Sequence, residues 1–302
     1  MIGLFAIALA ATLGQMICLA VIAPLLTDLE RGLQNLGAGR GFIAPGWRWQ
    51  QIRRGWTQRR PVPALCWLGL CSVCLAMTGI PYANERSLFG FLSEPLACGV
   101  LLILSCLPAW VQALQNPPSR LIALRLRASL GRLGRDLLFL VPLLALTGTL
   151  ITIGLPGAGT LVGLLQQRLL QPAPTLIGGL VFIAAALLLV LNRRFLSDSW
   201  HEELIASAQG RHRALLRYSH DLSACCWYLL IADLVWPDSI ATGTRPLGTL
   251  IALWCIAAPA KLALMVVLAA GWRACRPLPA ARLALVLSGA AILLVLAGRL
   301  AV

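Results

Sequence analysis

The residues LALVLSGAAILLVLAGRL, from Leu283 to Leu300, form an apolar run whose only charge, Arg299, lies next to its end. A helix needs about 20 predominantly apolar residues to cross the hydrocarbon core of a bilayer. The run does not alternate apolar with polar residues, and only helices and closed barrels satisfy their backbone polar groups in lipid. This stretch therefore predicts a transmembrane helix.

The same pattern recurs along the chain, which has 59% hydrophobic and 12% charged residues and a mean hydropathy of +0.82. These values lie outside the range of soluble domains. We predict an all-α integral membrane protein, a single domain over residues 1–302 that forms a bundle of about eight transmembrane helices. The predicted spans are Ile2–Leu26, Pro63–Ile80, Leu88–Leu114, Leu137–Leu155, Pro174–Leu191, Tyr218–Trp236, Leu247–Trp272 and Leu283–Leu300. The first is interpreted as an uncleaved span, because it lacks the basic n-region of a signal peptide.

The net charge of +14 is distributed unevenly along the chain. Twenty arginines fall in the loops 28–62, 115–136, 192–217 and 273–282, whereas only four lie elsewhere. Cytoplasmic loops of membrane proteins carry an excess of Arg and Lys. We predict that these four loops face the cytoplasm, that both termini lie outside, and that the chain spans a bacterial-type inner (plasma) membrane many times. The charge is thus interpreted as a topology signal, and no nucleic acid is expected as a partner.

The ten cysteines suggest a metal or disulfide site, but nine of them lie in predicted spans. Cys71 and Cys74 have the CxxC spacing, yet no second pair and no histidine lies near them. Metal centres need a complete set of ligands. We therefore interpret the cysteines as small packing residues and expect no metal site.

The first basic loop contains GWRWQQIRRGW, from Gly46 to Trp56, in which tryptophans and arginines interleave. This pattern is typical of a helix that lies along the membrane interface. Two roles stay open for it: an anchor to anionic lipid, with the tryptophans at headgroup level, or a docking face for a peripheral subunit.

The third basic loop, LNRRFLSDSWHEELIASAQGRHRALLRYSHDL from Leu191 to Leu222, concentrates titratable residues. Asp221 begins the sixth predicted span, where a helix N-terminus favours a carboxylate, so a capping role is an alternative to a functional one. His220 beside it titrates near neutral pH. The stretch is a candidate site for docking or proton handling.

Lys261 lies near the middle of the seventh predicted span, shortly after Pro259. Charges within a span are costly and usually face a bundle interior or an aqueous path, and a proline can break the helix and leave a carbonyl free. We hypothesise that Lys261 belongs to a buried polar path with an acid from Glu94, Asp221 or Asp233. A purely structural ion pair is the alternative.

These features together resemble the quinone-module membrane subunit of respiratory complex I, known as subunit 1, and, more closely, its counterpart in energy-converting nickel–iron hydrogenases and formate hydrogenlyases. The resemblance rests on the predicted topology and on short motifs spread over nearly the whole chain. The motifs are Arg194, Asp198, His201-Glu202-Glu203-Leu204, Gly210-Arg211-His212-Arg213-Ala214-Leu215, Arg135-Asp136, and Lys261 with the basic segment WRACRPLP after it.

The resemblance implies a membrane subunit that performs no catalysis alone and contributes no redox group to its oxidoreductase complex. Such a subunit anchors the peripheral electron-transfer module and couples it to translocation of protons or sodium ions. The implied partners are hydrogenase-like or dehydrogenase-like peripheral subunits, antiporter-like membrane subunits and the lipid bilayer. No cofactor is expected on this chain itself, and quinone is the one ligand that the family implies. The polar-path or interface residues carried over are His201, Glu203, Arg211, His212, Asp221, Lys261, Arg135 and Asp136.

The chain also departs from the family pattern. The loop is shortened between Glu203 and Gly210, where the family has further acids, Val141-Pro142 stands where a glutamate-proline is expected, and Gln51 stands where an aspartate is usual. These acids belong to the family's ion path. Two alternatives therefore stay open: a structural anchor without an ion path, or an independent secondary transporter.

Overall fold

The computed structural model describes residues 2–58, 61–84, 90–107, 137–153, 160–164, 174–194, 208–241, 246–274 and 280–300, together with residues 111 and 205. Within these residues the chain is helical and contains no strand, as predicted. The helices are α1 (Ile2–Gly37), α2 (Trp47–Thr57), α3 (Ala64–Gly79), α4 (Pro95–Leu104), α5 (Leu140–Ile153), α6 (Pro174–Arg194), α7 (Gly210–Val235), α8 (Leu247–Ala252), α9 (Ala258–Ala274) and α10 (Ala280–Leu300).

Four helical segments are long and apolar enough to cross a membrane: Ala6–Gly37, Pro174–Asn192, Gly248–Arg273 and Ala281–Gly298. Three shorter apolar helices, α3, α4 and α5, lie where other spans are predicted. Many large apolar side chains on these helices are exposed, among them Ile17, Ile256 and Leu293. Apolar surface of this extent is expected on helices that face lipid. The architecture agrees with an all-α membrane protein.

Helix α7 lies at the centre of the bundle and packs against α1, α2, α3, α6 and α9. Every residue from Ser219 to Leu234 is buried. A helix that is buried on all sides belongs to a protein core, and here that core helix carries two acids, Asp221 and Asp233. The arginines near its start, Arg211, Arg213 and Arg217, together with these acids, make α7 less hydrophobic than the other long helices.

The helix ends define two poles of the bundle. Helices α1, α6 and α9 end, and α7 begins, at one pole, where Glu30, Asn192 and Arg273 meet. We call this pole the basic end, because exposed Arg40, Arg53 and Arg54 lie there. At the other pole, the opposite end, the segments after α3 and α7 meet where the Ala241 amide donates to the Ala83 carbonyl at 2.8 Å.

Two predicted boundaries are wrong in detail. Helix α1 continues past Leu26 to Gly37, and its acids Asp28 and Glu30 find buried partners there. Helix α7 begins at Gly210 rather than Tyr218. The seventh predicted span forms one long helical segment, Gly248–Arg273, which contains π-helical turns over Leu253–Ala257 shortly before Pro259.

Candidate functional site

Two buried acids on α7 organise the interior of the bundle. Asp221 and Asp233 are 1% and 0% exposed. They are twelve residues apart, which is about 18 Å along a helix axis at 1.5 Å per residue. Asp221 thus lies towards the basic end and Asp233 towards the opposite end, and each is paired with a base from another helix.

Asp221 forms a two-pronged ion pair with Arg48, the second residue of α2. Arg48 Nε donates to Asp221 Oδ2 at 2.8 Å, and Arg48 Nη2 donates to Asp221 Oδ1 at 2.9 Å. Both side chains are 1% exposed. A fork-to-fork contact of this kind fixes orientation as well as distance. The pair therefore attaches α2 to α7 in one register.

A third residue, Asp28 of α1, holds the start of α2 in place. Its carboxylate accepts the backbone N–H of Gly46 at 2.8 Å and that of Arg48 at 3.0 Å. Gly46 has φ of 88°, a conformation that glycine adopts readily. The first amides of a helix lack intrahelical partners, and a carboxylate there is favoured. Asp28 and Asp221 thus fix the backbone and the side chain of Arg48 from two different helices.

Glu30 and Arg273 form a second buried ion pair at the basic end, between α1 and α9. The Tyr228 hydroxyl of α7 donates to Glu30 Oε1 at 3.3 Å. Arg273 Nε donates to Asn192 Oδ1 of α6 at 3.3 Å. One polar cluster therefore joins four helices, and this is the arrangement that buried charges require.

A polar cavity of about 390 Å³ lies between these two clusters. Most of its lining can form hydrogen bonds, and it includes both members of each ion pair. The lining residues are Thr27, Glu30, Arg31, Gln34, Asn35, Ile43, Trp47, Arg48, His220, Asp221 and Arg273. Three arginines and two acids line this cavity, so it carries positive charge.

Asp233 forms a different kind of pair near the opposite end. Lys261 Nζ donates to Asp233 Oδ1 at 2.6 Å and to Ser239 Oγ at 3.2 Å. Lys261 is 1% exposed. Asp233 Oδ2 is buried and has no hydrogen-bond partner in the part of the chain that the structure describes. Of the three acids predicted as partners of Lys261, the structure brings Asp233 to it, while Glu94 is exposed and Asp221 binds Arg48.

The helix that carries Lys261 contains π-helical turns, Leu253–Ala257, just before it. Pro259 has no N–H, and the Trp254 carbonyl instead accepts the Tyr82 hydroxyl at 3.4 Å. Gln15 of α1 holds the segment after α3 in place. Its Nε2 donates to the Ile80 carbonyl at 2.6 Å, and its Oε1 accepts a hydrogen bond from the Tyr82 backbone N–H at 3.1 Å. Turns of π-helix occur frequently at functional sites. Lys261 follows this π-helical segment and reaches Asp233 near the end of α7.

The predicted residues at the start of α7 form interhelical contacts. Arg211 Nε donates to the Trp56 carbonyl of α2 at 3.1 Å. His212 Nε2 lies 3.3 Å from Cys66 Sγ of α3. Burial lowers the pKa of His212 below its usual value, because it disfavours the imidazolium. These contacts attach the start of α7 to α2 and α3.

Among the remaining predicted residues, Arg135, Asp136, His201 and Glu203 lie outside the described residues. The capping interpretation of Asp221 is wrong, because α7 begins eleven residues earlier. The sequence assigns Arg48 to an interfacial helix and Arg273 to a basic loop segment, yet both side chains are buried or nearly so in ion pairs. The signal that could have revealed them is the pair of acids Asp28 and Glu30, which interrupts an otherwise basic loop.

No group of three or more His, Cys, Asp or Glu side chains in the described part of the chain is placed to hold a metal ion. Comparison with protein-family models and with curated proteins finds no match to this chain.

Proposed function

We propose that this chain is a membrane subunit similar to subunit 1 of respiratory complex I, which anchors a hydrogenase-like or dehydrogenase-like peripheral module at its basic end. The observation that carries this proposal is the polar cavity at that end, whose lining is fixed by two buried ion pairs drawn from α1, α2, α7 and α9. Preorganised charged groups on a rigid scaffold suit recognition of a partner, because little side-chain freedom is lost on binding.

A protein partner suits this cavity better than a quinone. Among the described residues of the lining, Ile43 and Trp47 are those with large apolar side chains, which is too few to enclose an isoprenoid tail. Both oxygens of Asp221 are bonded to Arg48. We therefore assign no quinone step to this chain and no catalysis to it alone. Acidic side chains of a docking subunit would complement the surplus of arginine.

The proposed topology places the basic end in the cytoplasm and both termini outside, with about eight spans in a bacterial-type plasma membrane. Twenty arginines in the four predicted loops support it. Antiporter-like membrane subunits are the proposed lateral partners, and the coupled ion is a proton or a sodium ion.

Co-purification of the tagged chain from its native membrane in mild detergent tests the anchoring role. The expected result is recovery of soluble hydrogenase-like or dehydrogenase-like subunits with the chain. The double substitution Arg40→Glu with Arg54→Glu at the basic end is expected to reduce that recovery. Glu94→Lys, a charge reversal at an exposed residue of the opposite end, is the matched control and leaves recovery unchanged.

One observation favours a secondary transporter as the second candidate, namely the π-helical turns just before the buried pair Lys261–Asp233. Such turns within an α-helix occur frequently at functional sites. Purification of the chain as a lone protein that transports a solute would support the transporter and contradict the anchoring role.

A further inference from the structure

We propose that Asp233, with Lys261 and Ser239, is a proton-exchange site that communicates with the opposite end of the bundle. It deepens the ion-coupling part of the proposed function and rests on that function for its purpose. The site holds a buried acid, a buried base and a buried hydroxyl in one hydrogen-bonded group.

The unequal use of the two carboxylate oxygens is the main evidence. Asp233 Oδ1 accepts the Lys261 ammonium, whereas Oδ2 is buried without a partner among the described residues. A pair built only for stability would satisfy both oxygens, because an unbonded buried charge is costly. A proton added at Oδ2 would remove that cost without displacing Lys261.

The second hydrogen bond of Lys261 makes the added proton tolerable. When Asp233 becomes a neutral acid, the ammonium loses its counter-charge but retains Ser239 Oγ, which lies 3.2 Å away. Ser239 donates in turn to the Trp236 carbonyl at 2.7 Å, so its oxygen is oriented towards the lysine. In the described structure Lys261 is the charged group in contact with Asp233.

Access from the opposite end follows from the short 3-10 helix Pro237–Ser239. Ser239 is 2% exposed and contacts the pair, while its chain neighbour Asp238 is exposed. Trp236, 44% exposed, precedes this turn and is typical of a membrane interface. An exposed carboxylate thus lies one residue from the buried group.

The exchange step transfers one proton. In the resting pair Asp233 is a carboxylate and Lys261 an ammonium, with a combined charge of zero. A proton from the medium forms the O–H bond at Oδ2, which gives a neutral acid beside the ammonium and a combined charge of +1. Release breaks the same O–H bond and restores the resting pair, so no oxidant or reductant takes part.

Infrared difference spectroscopy of the full chain in lipid nanodiscs tests the site. As the pH is lowered, the wild type is expected to gain a C=O stretching band of a protonated carboxyl, and Asp233→Asn is expected to abolish it. Lys261→Met is expected to show the band at every pH, because the lone buried acid stays neutral. If the wild type shows no carboxyl band that Asp233→Asn abolishes, the proposal is overturned.

Two controls keep the test decisive. Glu94→Gln removes an exposed carboxyl and is expected to retain the Asp233 band. If Asp233→Asn does not fold, the neutral double variant Asp233→Asn with Lys261→Met takes its place, and loss of the band is again expected. In vesicles with one orientation, the band is expected to follow the pH at the opposite end, and a response to the basic end instead would contradict the proposed access.

These measurements use the chain alone. A negative result would leave the anchoring role standing, and failure to recover peripheral subunits would leave the proton site standing. The two proposals can therefore fail separately.

Discussion

The ion pairs Arg48–Asp221 and Lys261–Asp233 lie on the same buried helix, yet their bonding differs. Arg48 occupies both oxygens of Asp221, and its own backbone is held by Asp28. Lys261 donates one hydrogen bond to a single oxygen of Asp233 and another to the hydroxyl of Ser239. In the first pair both carboxylate oxygens are hydrogen-bonded and the geometry is fixed, whereas in the second pair Asp233 Oδ2 can accept a proton. Similar charges can thus serve as a fixed connection at one end and as an exchange site at the other.

The largest effect is expected from Arg48→Met, which leaves the Asp221 charge buried without its partner. Loss of one member of a buried pair costs about 3–5 kcal/mol, so a large drop in the thermal unfolding temperature in nanodiscs is expected. Adding Asp221→Asn is expected to restore most of that loss. Arg53→Met, on the exposed face of α2, is the control, and an equal loss in this variant would refute the fixed connection.

A smaller and pH-dependent effect is expected from Lys261→Met. Asp233 can become neutral by taking up a proton, so the cost is about 1–3 kcal/mol, as for a buried polar group without a partner. The free energy of unfolding is expected to recover as the pH falls, because at neutral pH only the folded state keeps that proton, whereas in acid the unfolded carboxyl binds one as well. A loss of the same size at every pH would show that Asp233 stays ionised in the folded variant.

The close contact between α2 and α7 is tested by Gly55→Ala. A Cβ at position 55 would lie 2.8 Å from Ala214 Cβ and 3.1 Å from the Gly210 carbonyl oxygen. Overpacking of this kind typically costs about 1–3 kcal/mol, and it should also reduce co-purification of peripheral subunits. Gly37→Ala meets nothing within 4 Å and serves as the control. Equal stability of the two variants would contradict the close packing of α2 against α7.

The smallest effect is expected at His212. Its pKa is lowered in the folded state, so the unfolded state takes up a proton first as the pH falls. The contribution of His212 to the free energy of unfolding is complete above the unfolded-state pKa of about 6.5 and is lost as the pH falls below that value. His212→Leu should therefore reduce the pH dependence of the unfolding temperature between neutral and mildly acidic pH. Thermal shift assays over that pH range measure it. An unchanged slope would show that His212 does not report on this packing.

Hydropathy predicted the helical class and the position of most helices, because each apolar run reports exposure to lipid locally. The pattern could not predict that α1 continues to Gly37, since Asp28 and Glu30 look like loop residues until their buried partners are known. Lys261 and Asp233 were singled out as costly charges within spans, and the structure pairs them. Arg48 and Asp221 are 173 residues apart, so no local spacing could pair them. Arg135, Asp136, His201 and Glu203 remain predictions.

The central claim is that the basic end receives a peripheral module, and photo-cross-linking tests it most directly. A photoreactive amino acid replaces Gln34, an exposed residue of the cavity lining, or Glu94, an exposed residue at the opposite end, in native membranes. We predict covalent adducts with a soluble hydrogenase-like or dehydrogenase-like subunit from position 34 and none from position 94. Absence of such an adduct at position 34, or the same soluble partner at both positions, would contradict the account.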